Sequence, residues 1–102
     1  MHPILETYKK RIAVICKSLQ IKRMYVFESM TKNSFGDSSD IDLLISFEDT
    51  LSTEEYSENY FVLHQKLRGL LKMDIDILTE RSLTNPYFIK KIDEEKLVIY
   101  ES

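Results

Sequence analysis

Ser39-Asp40-Ile41-Asp42-Leu43-Leu44-Ile45 sets two carboxylates two residues apart at the head of an apolar run. Side chains of a strand alternate between its faces, so Asp40 and Asp42 share one face while Ile41, Leu43 and Ile45 take the other. Neighbouring carboxylates repel, and folding tolerates that cheaply only in water or around a cation. Hard divalent ions such as Mg²⁺ take carboxylate oxygens as ligands. The pattern recurs in Met73-Asp74-Ile75-Asp76-Ile77. If the two strands are neighbours, three or four carboxylates gather on one patch, an arrangement suited to metal-assisted phosphoryl and nucleotidyl transfer. A solvent-facing edge strand or a turn cap explains one such pair comfortably, and two less well.

Outward from this run the chain alternates helices and strands. Ile4, Leu5, Tyr8, Ile12, Ile15, Cys16 and Leu19 recur at three- and four-residue spacing, which predicts an amphipathic first helix. Met24-Tyr25-Val26-Phe27 reads as a short strand, with Arg23 before it as a surface charge. The polar segment to Ser39, with Gly36-Asp37, reads as a short helix and turn. Beyond the acidic strand, Ser52 and Glu55 form a capping box that opens a long helix ending near Leu71, with Tyr56, Tyr60, Leu63, Leu67, Leu70 and Leu71 on its apolar side. A third strand is expected over about Met73 to Leu78, and Asn85-Pro86 marks another helix start. Leu97-Val98-Ile99-Tyr100 is either a last strand or an extended segment packed on the core. The expected class is α+β (two-layer α/β), a small mixed sheet of three to four strands flanked by helices.

The 102 residues suit one small domain, 1–102, and 43% hydrophobic residues supply a core. A net charge of −3 disfavours nucleic acid as a partner, because that binding rests on Lys and Arg neutralising phosphates. No apolar run approaches the ~20 residues of a membrane span, and the N-terminus lacks the form of a signal peptide. With the single Cys16 this reads as a cytoplasmic protein with no membrane association. Cys16 is expected in the core. His64, beside the apolar side of the long helix, reads as a satisfied, half-buried histidine rather than a ligand. Oligomeric state is left open, a homo-oligomer included.

Phe27-Glu28-Ser29, then Ser39-Asp40-Ile41-Asp42-Leu43-Leu44-Ile45, then Asp76-Ile77-Leu78-Thr79 closely resemble the minimal nucleotidyltransferases (MNT) of the DNA polymerase β-like superfamily. In that family a strand ends in Phe-Gly-Ser, a turn of about ten residues follows, and Ser-Asp-x-Asp opens the next strand. Thr79-Glu80-Arg81-Ser82-Leu83 and Asn85-Pro86-Tyr87-Phe88-Ile89 also look like the family's C-terminal segment, so the resemblance spans nearly the whole chain.

The resemblance implies that Asp40 and Asp42 ligate two Mg²⁺ ions. Asp76 would ligate one of them and help deprotonate the attacking hydroxyl. Ser29 would contact the β- or γ-phosphate of a nucleoside triphosphate, ATP above all. Lys32 is either a further phosphate contact or a solvated loop lysine, and Asp74 is a spectator. The implied reaction transfers a nucleoside monophosphate, AMP first among them, to an acceptor hydroxyl. The implied partner is a HEPN-type toxin, modified on a tyrosine, with this chain as antitoxin. One position departs from the family: Glu28 stands where the family has the glycine that lets backbone approach the phosphates. Glu28 adds bulk and negative charge there, which gives the alternative of a catalytically degenerate member that acts by protein contact alone.

Overall fold

The computed structural model describes residues 3–27 and 41–102. Helices α1 (Pro3–Thr7) and α2 (Lys9–Ser18) lead into strand β1 (Ile21–Phe27). Strand β2 (Ile41–Phe47), helix α3 (Thr53–Leu71) and strand β3 (Ile75–Thr79) follow, then a 3₁₀ turn (Glu80–Ser82), helix α4 (Pro86–Glu95) and strand β4 (Leu97–Glu101). The sheet order is β3-β2-β1-β4. β1 lies antiparallel to both β2 and β4, whereas β2 and β3 run parallel because α3 carries the chain back between them.

The sheet is therefore mixed, four-stranded and flanked by helices, as the alternating pattern predicts. Ile41, Leu43 and Ile45 of β2 turn to one face with Ile75 and Ile77, against Leu5, Ile12 and Cys16 of α1–α2 and Leu63, Leu67 and Leu71 of α3. Burial pushes the Cys16 thiol up to about 12, so it stays protonated and serves as core packing. The opposite face carries Tyr25, Phe27 and Leu44, covered by Ile92 and Phe88 of α4. Six of the seven residues of β2 are buried, as expected of an interior strand covered on both faces.

Expectations for the first helix and for β1 with Arg23 are adjusted, and the choice left open for the C-terminal run is decided. The first helix is two helices, broken at Tyr8, although Tyr8 N–H still donates to the Ile4 carbonyl and Ile12 N–H to the Tyr8 carbonyl. β1 begins at Ile21 rather than Met24, and Arg23 sits within it as half of a two-pronged ion pair with Glu80 (3.1 and 2.9 Å), not as a free surface charge. The C-terminal apolar run is a strand, paired with β1. The short helix and turn read between Glu28 and Ser39 lie outside the described residues. None of the described helices is long and apolar enough to cross a membrane.

Candidate active site

The parallel pair β2–β3 brings the acids together. Its register sets Ile41 against Ile75, Asp42 against Asp76 and Leu43 against Ile77. Ile41 N–H donates to the Asp74 carbonyl at 3.0 Å, which fixes that register at the start of the strands. Because period-two alternation runs in phase along both strands, Asp42 and Asp76 emerge on the same face, on strands about 4.8 Å apart. The apolar residues between them point to the other face and lock the phase, since a one-residue slip would bury the acids in the core.

Around the two acids is a cavity of about 280 Å³. Its wall includes Phe27 at the end of β1, Tyr60 and His64 of α3, and Phe88 of α4. Phe27 and Phe88 meet edge to face, with ring centroids 6.3 Å apart. Asp42 is only 5% exposed, whereas Asp76 is exposed at the cavity. Burial raises the Tyr60 hydroxyl above the ordinary phenol range, and neighbouring Tyr56 and the Asp76 charge push it the same way. The site thus has aromatic sides and two acidic residues at its floor.

Of the residues singled out in the sequence, Asp42 and Asp76 converge. Asp40, Glu28, Ser29 and Lys32 lie outside the described residues. Asp74 turns away and pairs with Arg68 at 3.1 Å on the surface. Among the described residues no group of three His, Cys, Asp or Glu side chains gathers as a metal site. The two acids brought together are hard oxygen donors on one face, which suits Mg²⁺, and Asp40 is the expected third. The aromatic wall was not read from the sequence as a site. Tyr60 and His64 carry a signal in hindsight, one helical turn apart beside an acidic strand, but the same spacing describes an ordinary core-facing helix.

A mixed sheet with paired acids on adjacent parallel strands is the arrangement that the resemblance to nucleotidyltransferases implies. The family model described as "Polymerase beta, Nucleotidyltransferase" matches residues 9–102, and the chain belongs to that family. A Methanocaldococcus jannaschii protein named "Putative protein adenylyltransferase" is 31% identical over 94% of this chain and 91% of its own length. A second protein of that name and organism is 29% identical over 94% of each. A solved structure described as a "putative minimal nucleotidyltransferase" superposes with TM-score 0.63 at 29% identity, over 95% of this chain and 97% of that one. The complex of a tri-AMPylated Shewanella oneidensis HEPN toxin with its MNT antitoxin matches with TM-score 0.63 at 21% identity, over 96% and 73%. At that identity the likeness is one of fold.

Proposed function

We propose that the chain transfers AMP from ATP to a hydroxyl of a protein, and that the acceptor is a HEPN-type toxin to which it is the antitoxin. The observation that carries this reading is the in-register pair Asp42 and Asp76 on adjacent parallel strands, opening on a cavity. The names of the curated relatives support protein adenylylation, and the AMPylated toxin complex supports the choice of partner.

Asp40, Asp42 and Asp76 would hold Mg²⁺, which when bound neutralises charge on the attacking and leaving oxygens. Asp76, the more accessible of the two described acids, takes the proton of the acceptor hydroxyl. The hydroxyl oxygen then bonds to the α-phosphorus as the α–β phosphoanhydride bond breaks and pyrophosphate leaves. Ser29 would contact the departing phosphates, with Lys32 either a second contact or a solvated loop lysine. Phe27, Tyr60 and Phe88 shield the reacting atoms from water.

The test supplies ATP labelled at either the α- or the γ-phosphate, with Mg²⁺, to the chain and a co-expressed HEPN-type protein. Label from the α position alone, on the HEPN protein, is the expected result; no transfer with either label sinks the reading. Glu28 favours a second reading, a member that neutralises its partner by contact without binding nucleotide. ATP and Mg²⁺ titrated into the wild type and Glu28→Gly separate the two: micromolar binding by the wild type overturns the degenerate reading, and binding recovered only in Glu28→Gly overturns the active one.

A further inference from the structure

β3 lies at the edge of the sheet, yet its outer carbonyls are occupied. Alternate residues of a strand turn their backbone groups to opposite sides. Asp74 turns its carbonyl to β2, where Ile41 N–H donates to it, and Asp76 follows the same parity. Ile75 and Ile77 turn theirs outward. Tyr60 Oη donates to the Ile77 carbonyl at 2.7 Å, and His64 Nε2 lies 3.1 Å from the Ile75 carbonyl. A carbonyl only accepts, so that nitrogen carries the proton. The two gripped residues bracket Asp76 in the chain, and the two gripping residues also line the cavity that Asp76 enters.

Satisfying an edge carbonyl does not by itself require a side chain, because water does so at little cost on an accessible strand edge. Ligation and proton abstraction require more, a carboxylate held within about 0.5 Å of its working position. We propose that Tyr60 and His64 are positioning residues that clamp β3 on both sides of Asp76 and so fix its carboxylate relative to Asp42. This rests on the reading of those carboxylates as metal ligands.

The test titrates Mn²⁺ alone, without nucleotide, into the full chain and follows free Mn²⁺ by its paramagnetic resonance signal, with a thermal melt of every variant. The wild type is expected to bind and Asp76→Asn to lose binding. Tyr60→Phe, which keeps the ring and its packing, and His64→Leu are each expected to weaken binding by about tenfold, the scale of lost outer-shell contacts. His64→Gln, whose amide N–H reaches toward the same carbonyl, should recover most of that loss. Ile99→Val, a core change on β4, should lower the melting temperature by a few degrees and leave Mn²⁺ affinity unchanged. Wild-type affinity in both Tyr60→Phe and His64→Leu, with Asp76→Asn still defective, overturns the clamp and spares the metal site. Weakening that tracks lost stability in every variant, Ile99→Val included, also overturns the clamp. Absence of binding by the wild type, or full binding by Asp76→Asn, overturns the metal reading and the clamp with it.

Discussion

Asp42 and Asp76 stand opposite one another across the parallel strands β2 and β3, one nearly buried and the other at the mouth of a cavity. Two like charges in directly opposed positions of a sheet work against folding. Under the proposed function the pair is kept as a site for metal and transfer, at some cost to folding.

Function and stability should therefore move in opposite directions in Asp76→Asn. Removing one charge of the pair leaves urea stability unchanged or raised, by up to about 1 kcal/mol, the scale of a cross-strand charge pair. Transfer of the α-phosphate label falls by at least about a hundredfold, as for loss of a general base. A variant that loses stability and activity together would mark Asp76 as a structural residue.

The acids were legible in the sequence because period-two alternation is a local rule, and their partnership followed from one helix lying between two strands. The capping box at Ser52 and Glu55 was legible for the same local reason, and both of its hydrogen bonds are made. Other features depend on residues distant in the chain. Nothing near Arg23 announces Glu80, which meets it only because β1 and the end of β3 flank β2. The break at Tyr8 escapes the apolar periodicity because that periodicity continues through it, with Ile4 and Tyr8 both packed on the core. The aromatic wall is likewise tertiary: Phe27 and Phe88 come from opposite ends of the chain's order and meet only when α4 folds over the acid-bearing face.

Arg23 and Glu80 offer a second test. Two parallel N–H···O bonds between half-buried side chains make this pair stronger than an ordinary surface ion pair. A double-mutant cycle with Arg23→Ala and Glu80→Ala should give a coupling of about 1 kcal/mol in urea unfolding. Salt near molar concentration should reduce it. Arg23→Lys should recover less than half of the coupling, since an ammonium cannot make both bonds at once.

Lys72 closes α3 in the left-handed region, at φ 54°, with its N–H donating to the Arg68 carbonyl. A side chain there costs about 1 to 2 kcal/mol relative to the right-handed helix, a cost that glycine escapes. Lys72→Gly should stabilise the protein by about 0.5 to 1 kcal/mol, after allowing for the greater freedom of glycine in the unfolded chain. Lys72→Ala, which keeps the β-carbon, should show no such gain. Chemical unfolding of the two variants side by side separates backbone strain from loss of the lysine charge.

The start of α3 makes its stability depend on pH. Ser52 N–H donates to the Glu55 carboxylate at 2.9 Å, and Glu55 N–H donates to the Ser52 hydroxyl at 3.1 Å. The Ser52 backbone N–H first, and then its side chain, hold the Glu55 carboxyl below its ordinary value. A depressed folded-state value means that the carboxylate's contribution is present above the ordinary carboxyl range, about 4.3, and is lost as pH falls through the depressed one. Comparing wild type with Glu55→Gln from about pH 6 down to about pH 3 isolates this group, because glutamine fills the box without titrating. The advantage of the wild type should be constant at the upper end and shrink below about pH 4.3. Ser52→Ala should cost about 1 kcal/mol at neutral pH by removing the hydroxyl acceptor. A wild-type advantage that stays flat to the acid end of the series would show that the Glu55 charge adds nothing to the cap.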